Sequence, residues 1–420
     1  MTMKSLFLAA AVLSLSAAAP SFAAEPDGLI LPKGFHASVV AEGLTGARHL
    51  AFAPNGDLYV STTVARDQPP QGVIALHLDR NHKADKTEKF GTVNGGTGIR
   101  VYKGALYVAS NTTVFKYALG KDLVPAGQPE VVVDGMPAQG SGTHPIAFDG
   151  KGGLYVSLDG SGNTCVDQNI KEPRRAGIKP CPALANRSGV WRFSDSKTGQ
   201  KFPGDGEQYA TGVRNMGAMD WSSVSGSLYG VTHGRDMTHQ TFADLVSEAD
   251  DDAIGDEMHR ITKGTNMGWP YTYWDAVRHV RLTGPEYGGD NKTPADASIY
   301  DTPVLAFAPK RVAPLDLVFY NGKQFPAKYR GGAFIAMHGT NGPKIPGGHG
   351  GYNVVFVSID RNGDAKAPEV FADGFAGPSD DDKYSNHATY RPVGEAVGPD
   401  GALYVADSNK GKIWRIYYGG

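Results

Sequence analysis

The sequence predicts an all-β chain folded as a six-bladed β-propeller of four-stranded antiparallel blades. Three observations carry that prediction. A Gly-centred turn followed by an apolar strand recurs six times. Glycine makes up 55 of the 420 residues, about 13% and near twice the ordinary share. Helical periodicity is scarce, Ala243–Ala249 being the best short helix candidate. Hydrophobic residues at 40% and aromatics at 10% are enough for a large core, so a disordered chain is excluded.

The repeat opens at Pro54-Asn55-Gly56-Asp57-Leu58-Tyr59-Val60-Ser61 and returns at Lys103-Gly104-Ala105-Leu106-Tyr107-Val108-Ala109. It recurs at Gly152-Gly153-Leu154-Tyr155-Val156-Ser157 and at Gly226-Ser227-Leu228-Tyr229-Gly230-Val231. A degenerate copy, Arg330-Gly331-Gly332-Ala333-Phe334-Ile335-Ala336, precedes the last, Pro399-Asp400-Gly401-Ala402-Leu403-Tyr404-Val405-Ala406-Asp407. Another apolar strand stands ahead of the turn, as in His49–Phe52 and Pro145–Phe148. The Leu-Tyr pairs at 58, 106 and 154 are evenly spaced, and the spacing then widens. A β-helix needs far shorter periods, and stacked sandwiches do not repeat one motif six times; propeller blades do. The extra length falls in residues 159–190, with both cysteines, and 232–300, with Asp250–Asp252 and Asn266-Met267-Gly268-Trp269-Pro270. Such insertions gather at one face of a propeller, around the channel mouth.

Lys4, the apolar run Leu6–Leu15 and the small residues Ala17–Ala24 read as a secretory signal peptide, residues 1–23, cleaved near Ala23. An N-terminal membrane anchor is the alternative, although the run is short for a ~20-residue span. Residues 24–420 then form one propeller domain, periplasmic or secreted, with no further stretch able to span a bilayer as a helix. In an oxidising compartment Cys165 and Cys181 are expected to pair, the alternative being a free buried pair. The formal charge of −2, from 41 basic and 43 acidic residues, argues against a nucleic-acid partner.

Candidate functional residues follow from the register. Ten residues before each repeat Leu lies the start of an inner strand, beside the channel. Arg48, Gly96 and His144 hold that place in the first three blades; Arg214-Asn215 and Tyr390-Arg391 stand near it in the fourth and sixth. Cations from several blades converging on one small space suit an anionic ligand, because an unpaired buried charge costs several kcal/mol. Inter-blade ion pairing is the competing reading. His144 is either a hydrogen-bonding core residue or a base suited to neutral pH, and His233 and His338 are candidate pocket walls. HExxH, G-x-S-x-G, P-loop, G-x-G-x-x-G and C-x-x-C-H motifs are absent from the sequence, which removes the simplest protease, esterase, NTPase, nicotinamide and c-type haem readings. The runs Asp250–Asp252 and Asp380–Asp382 read as solvated loop charge, with calcium binding as the alternative.

A family resemblance rests on Thr211-Gly212-Val213-Arg214-Asn215, Thr232-His233-Gly234-Arg235-Asp236, and Gly255-Asp256-Glu257 with Gly264-Thr265-Asn266-Met267-Gly268-Trp269-Pro270. Tyr329–Ala336 with His338-Gly339, and Tyr390-Arg391-Pro392-Val393-Gly394, extend it over nearly the whole mature chain. These segments resemble the soluble pyrroloquinoline quinone (PQQ) sugar dehydrogenases, in the glucose/sorbosone, aldose sugar dehydrogenase branch. The resemblance implies a six-bladed propeller that oxidises an aldose-type sugar by hydride transfer to calcium-bound PQQ and passes electrons to a separate soluble or membrane-linked acceptor. By position it implies that Arg214, Asn215 and Arg391 bind the quinone; the family's lysine has no clean match, and Lys344, after Gly339-Thr340-Asn341, is the candidate for it. Gly234 and Arg235 would coordinate Ca²⁺ through their carbonyls, with Asp256 beside them, and His144 would be the general base. Two departures stand out: the family's base aligns with Ser141 in ungapped register, and Thr389 replaces a second arginine near Arg391. A non-catalytic sugar- or partner-binding propeller, or a metal-dependent lactonase, are the alternatives, and the arginines at the axis count against the lactonase.

Overall fold

In the six repeat turns a single geometry recurs: Gly56, Gly104, Gly152, Gly226, Gly331 and Gly401 all have φ between +63° and +95° or, for Gly152, +103°. A Cβ is disfavoured there, which is why the motif carries glycine before each strand. The computed structural model describes residues 22–63, 71–92, 96–138, 144–309, 311–342 and 344–419. The expected signal peptide lies outside them except for Phe22 and Ala23, whose backbone pairs with Leu31–Pro32.

Each repeat strand is the second strand of an antiparallel sheet, and six such sheets form a ring. Their innermost strands, Ala47–Phe52, Ile99–Tyr102, Ile146–Phe148, Met216–Ser222, Pro314–Phe319 and Pro392–Val397, pack side by side in cyclic order around the axis. The ring closes through the sixth blade, where the early strand Phe35–Ala41 pairs with the last one, Ile413–Tyr418. Blades two and three each gain a fifth, two-residue parallel strand, Gln200–Lys201 and Thr265–Asn266. Those short additions go beyond the four strands expected.

The second strands are buried on both faces. Leu58–Thr62 and Ala105–Ala109 contain no exposed residue, unlike an edge hairpin with one wet face. The cause is that each blade is sandwiched between two neighbours. The large apolar clusters accordingly lie between blades: Leu50, Val60 and Ile74 with Val393 and Tyr404 at the closure, and Tyr320, Phe325 and Phe334 with Leu403 and Trp414 between blades five and six.

Cys165 and Cys181 form a disulfide. They pack with Trp269 in a small cluster that ties the two long insertions together. The helix expected at Ala243–Ala249 is displaced to Glu248–Ala253. Ser247 caps it, accepting from the Asp250 N–H while the Asp250 carboxylate accepts from the Ser247 N–H. Asp250–Asp252 is therefore helical rather than loop charge, and Asp380–Asp382 is a 3₁₀ turn capped by Ser379. Among the described residues no helix is long and apolar enough to cross a membrane.

Candidate functional site

In every blade the innermost strand begins, and the antiparallel second strand ends, at the same face of the ring. That geometry gathers the residues before the first strand with those after the second. Arg48, Arg214-Asn215 and Arg391 arrive from first strands; His233 and His338 arrive from the ends of Ser227–Thr232 and Ala333–Met337.

Two cavities open at this mouth. The first, about 490 Å³, is lined by Asp159, Gly160, Asn163, Arg187, Asn215 and neighbours, a wall of small and hydrogen-bonding groups. The second, about 460 Å³, is lined among others by Gly234, Asp256, Arg311, His338, Asn341 and Arg391, with Leu315 also in its wall. Arg214, His233 and Asp236 border both.

The second cavity is cationic and incompletely neutralised. The Arg391 guanidinium donates from Nε to the His338 carbonyl (3.1 Å), from Nη1 to Asn341 Oδ1 (2.9 Å) and from Nη2 to the Gly339 carbonyl. None of these acceptors is an acid. Arg48 forms no ion pair among the described residues, and its Nε is buried without a partner. Burial, with Arg391 beside it, lowers the Arg48 pKa to about 10. Desolvation and the same two arginines push the His338 imidazole well below the ordinary histidine range, so it is neutral at pH 7. Its Nε2 lies 2.9 Å from Ser408 Oγ.

Arg214 is held differently. Its Nη2 pairs with Asp236 and its Nε donates to Asn163 Oδ1 at 3.0 Å. Asn163 also accepts from the Asp236 N–H, so the loop that carries the disulfide fixes the shared wall. Asn215 donates to Asp159 Oδ2 at 2.6 Å, while Asp159 Oδ1 accepts from the Met216 N–H at 2.9 Å.

Three of the sequence-predicted residues, Arg214, Asn215 and Arg391, thus meet at the mouth, with Gly234 and Asp256 lining the second cavity. His144 does not. It is fully buried, with Nδ1 2.9 Å from the Ser157 carbonyl and Nε2 3.1 Å from the Asn111 carbonyl. It lines neither cavity. The ring sits between the Ser157 carbonyl of a blade-three strand and the Asn111 carbonyl of a blade-two turn, and so ties the two blades. Ser141, its rival by register, lies outside the described residues. Lys344 is exposed and lines neither cavity. The Arg235 side chain turns away from the mouth to a buried pair with Glu286, over the Tyr273 ring.

Fit to the two implied groups differs. PQQ carries three carboxylates, and the buried Arg391 guanidinium in the cavity wall, with no acid among its acceptors and Arg48 beside it, suits such an anion. At the calcium position two of the three expected groups are already engaged by protein donors. The Arg235 carbonyl accepts from Arg311 Nη1 at 2.9 Å. Both Asp256 oxygens are used, Oδ1 by the Gly234 N–H and Oδ2 by the Val312 and Ala313 N–H groups, each at 2.9 Å. Among the described residues no cluster of three or more His, Cys, Asp or Glu side chains could hold a metal. The arrangement does not fit Ca²⁺, and no chemistry is derived through it.

Sequence reasoning missed Asp159, Asp236, Arg187 and Arg311. Asp236 sat inside a quoted motif; Arg187 and Arg311 lie in loops whose register the repeat does not set.

These features define a six-bladed propeller with a cationic, two-chambered mouth. A family profile described as TrAA12-like matches residues 29–419, and the chain belongs to that family, the AA12 PQQ-dependent oxidoreductases. An uncharacterized protein of Borreliella burgdorferi is 28% identical over 268 residues, 63% of this chain; the chain spans 60% of that relative's length. Among solved structures, a Trichoderma reesei carbohydrate-active enzyme of family AA12 superposes with a TM-score of 0.74 at 17% identity, covering 97% of this chain and all of that one. The holo PQQ domain of Coprinopsis cinerea pyranose dehydrogenase gives 0.72 at 17%, covering 93% and 97%. The soluble aldose sugar dehydrogenase of Escherichia coli gives 0.58 at 18%, covering 91% and 99%. At these identities the likeness shows the fold.

Proposed function

We propose that the chain is an exported PQQ-dependent sugar dehydrogenase, a single propeller following a signal peptide at residues 1–23. The quinone occupies the cationic cavity and the sugar its neighbour. The observation that carries this reading is Arg391, which lines the second cavity with no acid among its guanidinium's acceptors and with Arg48 beside it, next to a cavity walled by Asp159, Asn163 and Asn215. Arg391 and Arg48 bind quinone carboxylates. Arg214, fixed by Asp236 and Asn163, stands on the shared wall and orients both ligands. Asp159 and Asn163 face sugar hydroxyls, whose paired donors and acceptors match such side chains. Bound PQQ supplies the hydride acceptor, and its redox chemistry belongs to the cofactor. Electrons leave to a separate acceptor. The disulfide suits an oxidising compartment.

The buried setting of His144 favours a second reading, a sugar-binding propeller without turnover. Dye-linked activity of the protein reconstituted with PQQ, assayed over a panel of aldoses and pyranoses, separates the two. Quinone-dependent dye reduction is expected; quinone binding without reduction of dye supports the silent propeller.

A further inference from the structure

We infer that Arg311 is a built-in cation standing where the resemblance calls for calcium, so that this protein binds its anionic quinone without a metal. The inference rests on the reading of the second cavity as a PQQ site.

The argument begins with oxygen availability. Ca²⁺ takes six to eight oxygen ligands at about 2.3–2.6 Å. Of the groups expected to serve here beside the Gly234 carbonyl, both already have partners: the Arg235 carbonyl receives Arg311 Nη1, and the Asp256 carboxylate receives three backbone N–H groups. Asp236 is flanked by two guanidiniums, those of Arg214 and Arg311. A divalent ion added among them would displace these donors and sit against like charge.

Arg311 is itself firmly placed. Its Nη1 also reaches the Asp251 carbonyl at 3.3 Å, its Nε lies 3.1 Å from Asp236 Oδ1, and its Nη2 lies 3.9 Å from Asp251 Oδ2. Asp251 is in turn fixed by the Thr238 N–H. The side chain is 18% exposed, and the residue lines the cavity. A guanidinium held by carbonyls and carboxylates supplies a permanent positive charge of set orientation, which a metal would otherwise bring.

The test is quinone titration followed by absorbance and calorimetry, in chelator and in excess Ca²⁺. For the unaltered protein the PQQ dissociation constant should change less than about threefold between the two conditions, and Ca²⁺ alone should leave the melting temperature unchanged. Arg311→Ala should weaken PQQ binding at least about tenfold in chelator, and Ca²⁺ should restore it because the Arg235 carbonyl is freed. Arg311→Lys, which keeps the charge, should lie between the two. PQQ binding by the unaltered protein only when Ca²⁺ is present overturns this inference and leaves the proposed function standing. Failure of PQQ to bind in either condition overturns both.

Discussion

The mouth of the propeller axis and the interior below it are built by the same innermost strands, yet their charges are arranged oppositely. At the mouth Arg391 lines an open cavity with no acid among the acceptors of its guanidinium, and Arg48 beside it forms no ion pair among the described residues. Further along the same strands, the buried Asp316 and Glu395 and the partly buried Asp220 come from three blades and meet Arg100 and His49. Asp316 accepts from the Glu395 and Leu317 N–H groups and lies 3.6 Å from both Arg100 Nη2 and His49 Nδ1. Neither Glu395 oxygen has a hydrogen-bond partner. Burial raises Asp316 to about 6 and Glu395 well above the ordinary carboxyl range, the latter helped by Asp316 beside it. The difference teaches that an unpaired charge in a propeller can mark a ligand site only where a cavity adjoins it. In the buried interior the chain solves the same problem by keeping an acid protonated.

Four measurements can break or sharpen this contrast. The largest effect should come from Cys165→Ser with Cys181→Ser, because the disulfide closes a loop of separation 16 and anchors the mouth insertions. A loss of about 3 kcal/mol in denaturant unfolding is expected. Unchanged stability would mean that packing against Trp269 alone holds the rim.

Next comes Arg391→Ala. Losing a charge-assisted contact to a quinone carboxylate should weaken PQQ binding about 100-fold by absorbance titration. An effect below about threefold would place the mouth charges outside ligand binding.

Glu395→Gln tests the buried interior, where His49, Arg100, Asp220 and Asp316 are the neighbouring charged or titratable groups. The folded state holds its proton more tightly than the unfolded chain, so the favourable contribution is complete below the unfolded value near 4.5 and is lost as pH rises through the folded value. Unfolding of the native sequence should therefore cost less with rising pH over that window. The Gln variant should show a flatter profile and roughly 1 kcal/mol more stability at pH 7. A steeper profile in the variant would show that Glu395 is ionised and paired.

The smallest effect belongs to Lys344→Ala. The residue is exposed and away from both cavities, so PQQ affinity should be unchanged, and a tenfold loss would restore it to the site.

The number and kind of blades were legible because the Gly-centred turn recurs wherever a positive φ is required, and because second strands sandwiched between blades must be apolar throughout. Strand register then placed Arg48, Arg214 and Arg391 at one face. Register could not say which way the His144 ring points, since that depends on the Asn111 carbonyl in a different blade. Nor could it place Lys344, which follows Gly339-Thr340-Asn341 in sequence but not into the cavity.

What the sequence alone determined was the repeat, hence the six blades, the shared mouth and its excess of arginine, all products of local turn chemistry and period. What only the tertiary structure decided was how each polar group is spent. Arg311 comes from a loop with no repeat register, reaches the Arg235 carbonyl across the chain and occupies one of the oxygens a calcium ion would need. Hydrogen-bond partners between distant segments are set by three-dimensional packing, and no spacing in the sequence encodes them.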